Sequence, residues 1–216
     1  MGSSKRWLMA GMSAVLVTGL SLMSQRSSEA ADHFDPPARV GTAVGNHTDP
    51  AADIADLYAF HDAANVYIAL NFGGPSDPQV PAFYDRNVLY TINLSNDGNR
   101  TTTEFPIDIR FGFDGAAPGV RVSGLPPAGG TISGPVETDL TGVNNIVVRA
   151  GLFDDPFFFD QLGLIQTRMT GNIAFNNQRN PFAGRNITFV VLQIPRGLVD
   201  RGQKLDVWAT SARIGS

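Results

Sequence analysis

A chain of 216 residues, 43% of them hydrophobic and 17% charged, has enough apolar material to fill one domain of ordinary size. Its formal net charge is -4 and it has no basic run, which argues against nucleic acid as a partner. It has no cysteine, so disulfides, zinc-thiolate centres and thiol nucleophiles are excluded and the fold must rest on its core.

At the start, Lys5 and Arg6 precede an apolar and small-residue run from Trp7 to Met23, and a polar tract, Ser24 to Glu29, leads into Ala30-Ala31. This is the pattern of a secretory signal peptide over residues 1–30, with Ser28 and Ala30 suiting a small-x-small site cleaved after Ala30. An uncleaved anchor is the alternative. The pattern predicts a periplasmic or secreted protein with no integral membrane span once cleaved, and an envelope or extracellular protein as partner. Residues 31–216 then form a single β-rich domain.

Through that region apolar residues recur with period two. Asp56 to Phe60 reads as extended, and His61 to Ala64 joins it to a strand with Val66, Ile68, Leu70 and Phe72 on one face. Val88, Tyr90, Ile92 and Leu94 repeat the pattern. The turn Asn96-Asp97-Gly98-Asn99 follows, and Phe105, Ile107, Ile109, Phe111 and Phe113 alternate on the way back, as in a hairpin. The stretch from Gly112 to Gly142, rich in Gly and Pro, carries short candidate strands at 120–122 and 131–133, and 146–149 reads as another. Near residues 155–165 the sequence predicts the one short helix, with Asp154-Asp155 as cap and Pro156 in its first turn. Residues 186–194, apolar on both faces, suit a central strand, and 205–212 a final one. Strands divided by turns, without a βαβ rhythm, predict a mainly β fold: an antiparallel β-sandwich-like single domain.

Four segments, read together, resemble the bacterial exported family known as domain of unknown function 4331. They are Ala31-Asp32-His33-Phe34-Asp35-Pro36-Pro37; Asp49 to Phe60 (DPAADIADLYAF); the Asn96-Asp97-Gly98 turn with its alternating Phe run; and Ala150 to Asp160 (AGLFDDPFFFD), followed by Phe182 to Asn186 and Val207 to Thr210. The resemblance spans nearly the whole chain after the signal. It implies export and a β-rich fold, and it supplies no activity.

The candidate site residues are mostly acidic. Asp49, Asp53 and Asp56 lie beside His47, while Asp154, Asp155 and Asp160 surround Phe157-Phe158-Phe159. Calcium takes six to eight oxygens, which clustered carboxylates and loop carbonyls supply, and Asp97 sits in a turn of similar character. Calcium is therefore the first cation to consider. Copper is the second, because cleavage after Ala30 would leave His33 third from a free amine, a set of nitrogens suited to square-planar binding. Each Asp also has a plainer role as a turn or cap residue.

Three functions follow. The first is an exported non-enzymatic binding or structural protein, with a cation held by Asp49, Asp53, Asp56, Asp97, Asp154, Asp155 or His33. The second is a metal-dependent or hydrolytic enzyme gathering His47, Asp49, Asp53 and Asp56 around an open cleft. None of the familiar catalytic motifs is present. The third is a protein-interaction module built on the Phe cluster or a sheet edge, which predicts an exposed apolar patch.

Overall fold

A computed structural model describes residues 49–214. Residues 1–30, on which the expectation of a signal peptide falls, and His33 and His47 lie outside the described residues. Ten strands build two five-stranded antiparallel sheets. One sheet has the order β1 (Ile54–His61), β2 (Asn65–Ser76), β9 (Asn186–Pro195), β8 (Val147–Asp154), β7 (Leu140–Thr141). The other has the order β10 (Asp206–Arg213), β3 (Val88–Ser95), β4 (Phe105–Asp114), β5 (Ala117–Leu125), β6 (Gly130–Pro135). The mainly β, sandwich-like expectation therefore stands, and each strand read from alternation is present within a few residues.

The alternation sets which side chains meet between the sheets. Ile68, Leu70 and Phe72 of β2, with Val148 of β8 and Leu192 and Ile194 of β9, are fully or nearly fully buried. Across from them lie Tyr90, Ile92 and Leu94 of β3, Ile107 and Ile109 of β4, and Val122 of β5. Phe72 stacks on Tyr90 with ring centroids 4.3 Å apart, so this aromatic pair joins the sheets directly. Burying such a side chain contributes roughly 1.5–3 kcal/mol, and the whole set is the reason a cysteine-free chain holds together.

The start of the described chain is drawn into this core. A 3₁₀ turn at Pro50–Ala52 places Ala51 and Ala52 among the buried residues. The Tyr90 hydroxyl donates to the Ala51 carbonyl and Ser211 Oγ to the Ala52 carbonyl. Arg213, at the end of β10, grips the buried Asp49 carboxylate with both Nε and Nη2.

The helix is displaced from its predicted position. α1 runs Gln161–Thr170, and its cap is Asp160 rather than Asp154 or Asp155. Asp155 instead turns on itself, its Oδ1 accepting the Phe157 N–H at 3.0 Å. Local polar chemistry at Asp155 thus competes with the helix and delays it. Phe157, Phe158 and Phe159 lie in the extended lead-in, where alternate residues face opposite ways.

Candidate functional site

The excursion between β8 and β9 is organised by one carboxylate. Asp160 is only 5% exposed. Its Oδ1 accepts the Gly163 N–H at 3.0 Å, closing the first turn of α1, and its Oδ2 accepts the Asn176 N–H at 2.7 Å. Arg179 completes a bidentate pair, Nε to Oδ1 at 2.7 Å and Nη2 to Oδ2 at 2.8 Å. The Arg179 hydrogen bonds, with the two backbone donors behind them, hold the Asp160 carboxyl down to about 2.

Around this hub the returning segment is folded against one side of the helix. Ala174 N–H donates to Thr167 Oγ1 at 3.0 Å, and a Cβ at Gly163 would lie 2.9 Å from Phe175 Cα and closer still to Asp160, so only glycine fits. Gly171, left-handed at φ 72°, ends the helix and starts the return. The side of the helix bearing Gly163 and Thr167 is therefore covered by its own chain.

The opposite side carries Leu162, Ile165 and Met169 at spacings of three and four, one stripe of the helix surface. They are 55%, 45% and 80% exposed. Ile173 at 87%, Phe175 at 51% and Phe158 at 55% are further exposed apolar side chains in the flanking loops, with Phe175 on the side of Gly163. Phe157 and Phe159 turn the other way and are half-buried, Phe157 meeting the buried Phe182 edge-to-face at 4.9 Å. The helix packs extensively against neither sheet, so its apolar stripe is not the underside of a core element. No acidic residue occurs between Gln161 and Val199, while Arg168 lies in the last turn.

The acidic residues named from sequence are dispersed. Asp49 is occupied by Arg213. Asp53 ends the 3₁₀ turn, and its carbonyl accepts the Gly73 N–H at 2.9 Å. Asp97 serves its own turn: Oδ1 accepts the Asn99 N–H at 2.7 Å, and Thr102 Oγ1 donates to Oδ2 at 3.1 Å. The Asn99 N–H is the main reason its carboxyl sits below the ordinary range. Asp154 is exposed at the end of β8, opposite Asn186.

Asp56 and Asp155 are both near enough to Tyr58 to act on its phenol. Tyr58 donates its hydroxyl to Asp56 Oδ2 at 2.8 Å, and its phenol is pushed upward first by burial, then by Asp56, with Asp155 adding to the effect. The fully buried Asn71 accepts the Asp56 N–H, and its own Nδ2 has no acceptor among the described residues. Among the described residues no group of three or more His, Cys, Asp or Glu is placed to hold a metal. None of these acids lines the cleft of about 260 Å³ that opens at the edge of the sandwich.

No family model, curated protein or solved structure matches this chain. Among the described residues, no helix is long and apolar enough to cross a membrane. Sequence reasoning passed over Arg179, Gly163 and the exposed stripe. The stripe was the most accessible of these, since Leu162, Ile165 and Met169 have helical spacing. The helix start expected near Asp155 obscured it.

Proposed function

We propose that this chain is an exported, non-catalytic β-sandwich that works as a protein-interaction module, pairing with a second copy of itself through the apolar face of residues 158–175. The carrying observation is six large apolar side chains between 45% and 87% exposed on one projecting element. Together they offer on the order of 600 Å² of apolar surface, near the roughly 800 Å² per partner of a standard interface. Exposed apolar surface of that extent, with the Leu162-Ile165-Met169 stripe at its centre, fits an association surface.

A second copy suits the stripe because it is self-complementary. Two such helices laid antiparallel across a two-fold axis set Leu162 against the partner's Met169 and bring the two Ile165 side chains together near the axis. Sedimentation equilibrium tests this. The expected result is a dimer in the micromolar range, turned monomeric by Met169→Asp with Ile173→Asp at an unchanged unfolding midpoint. A wild-type chain that stays monomeric at about 100 µM sinks the proposal.

A structural cation such as calcium is a second reading, favoured by the two carboxylates, Asp56 and Asp155, that both act on Tyr58. Elemental analysis and melting with and without chelator decide it. Metal-free protein with an unchanged melting point removes calcium, and a mature terminus other than Ala31 removes copper at His33.

A further inference from the structure

Away from the apolar projection, the two sheets meet along the edge strands β1 and β10, and a cleft of about 260 Å³ opens where the end of β1 passes the start of β10. Its floor is apolar: Val66 and Val199 belong to the core, and Leu205 and Val207 are partly buried against it. Its rim is different. Phe60, 59% exposed, has one ring face stacked on Tyr67 at 5.2 Å, and His61, Arg196 and Lys204 stand around it.

The charges on that rim do not cancel. Asp200, the acid in the lining, is used within its own loop. Its Oδ2 accepts Arg196 Nε at 2.8 Å and its Oδ1 accepts the Gly202 N–H at 2.7 Å. The Gly202 N–H, and then Arg196, keep this carboxyl below its ordinary value, so it stays charged and occupied. One positive charge of the rim is thereby matched. Lys204 has no acceptor among the described residues, and the terminal nitrogens of Arg196 are likewise uncommitted. His61 Nδ1 faces the Asp62 carbonyl at 3.1 Å, which assigns the proton to Nδ1 and turns Nε2 outward as a further polar group.

The geometry points to a binding site for an apolar carboxylate, an aliphatic or aromatic body on the Val66–Val207 floor and against Phe60, with its carboxylate between Lys204 and Arg196. Such sites combine mostly apolar walls with a few convergent polar groups, and this cleft has that division. A bare inorganic anion would waste the floor, and a neutral hydrocarbon would leave the cationic rim unanswered. Two sources share this chemistry: a free organic acid, and the C-terminal carboxylate of a peptide ending in an apolar residue.

Titration of the isotope-labelled protein with hydrocinnamate, followed by amide NMR shifts, tests the site. Expected is saturable binding in the millimolar range or tighter, with shifts confined to residues 59–66 and 196–207. Lys204→Met should weaken binding about fivefold to tenfold, and Lys204→Arg should restore it, because the charge-assisted contact is lost and then replaced. Lys204 is exposed, so neither variant endangers the fold. A hexapeptide ending in a free phenylalanine carboxylate forms the second arm: if it binds as well as hydrocinnamate the source is a peptide terminus, and if only the acid binds the source is a small molecule. The proposal is overturned if hydrocinnamamide binds as tightly as the acid, if Lys204→Met changes nothing, or if neither probe shifts these amides at about 10 mM. Dimerisation through residues 158–175 is untouched by any of these results.

Discussion

The inter-sheet core and the excursion from Asp155 to Arg185 are stabilised by opposite means. The core is a continuous layer of aliphatic and aromatic side chains in which many residues share the load. In the excursion the helix stripe of Leu162, Ile165 and Met169 faces outward, and beyond the small inward cluster of Phe157 and Phe182 its order comes from a few polar contacts gathered on Asp160, with Arg179, Gly163 and Asn176 as its partners. Distributed burial makes a region tolerant of change at any one surface position, whereas a hub makes it depend on one carboxylate. A hub-held element can also afford an apolar outer face, since that face is not needed for its own folding.

The contrast can be broken from either side. Phe72→Ala removes a fully buried ring joining the sheets and should cost about 3–5 kcal/mol, seen as a lower denaturant midpoint for the whole domain. Asp160→Ala, or Gly163→Ala with its clash against Phe175, should act locally. Hydrogen exchange across residues 160–180 should accelerate while the amides of β2 and β9 keep their protection. Equal acceleration everywhere would mean that the excursion and the sandwich are one cooperative unit.

Acid sharpens the same distinction. Asp160 has a folded value depressed from 3.8 to about 2, so it binds its proton less readily folded than unfolded. Its contribution is fully present above about pH 4 and is lost as the pH falls through its folded value near 2. Amides of α1 should therefore lose protection as the pH falls from about 4 to 2, and Asp160→Asn should remove most of that pH dependence. The smallest effect on stability belongs to Met169→Asp with Ile173→Asp. Both positions are largely exposed, so unfolding should move by no more than about 0.5 kcal/mol while self-association disappears.

The sandwich was legible because period-two alternation reports directly which residues face inward: Ile68, Leu70 and Phe72 read as one face and are one face. The helix was legible only in kind. Asp155 and Pro156 make an acceptable cap on paper, but the Asp155 carboxylate bonds to Phe157 N–H, and Asp160 carries the cap because Arg179, 19 residues away, is there to meet it. Such a long-range partner leaves no local trace. The acidic segments misled for a related reason. Asp49 lies near Asp53 in sequence, yet its carboxylate belongs with Arg213 at the far end of the chain. The cleft was illegible, since its rim joins the end of β1 to the loop before β10 and exists only once the two sheets meet.

The Asp49–Arg213 clasp joins residues 164 positions apart, and β10 pairs with β3 rather than with a strand near it in sequence. A chain emerging from its amino end has nine of the ten described strands available before Arg213 arrives to lock Asp49 in place. Contacts this distant in sequence form late and slowly. The order of synthesis thus imposes a delay on closure, and the nascent chain spends that interval with the β3 edge of its second sheet open.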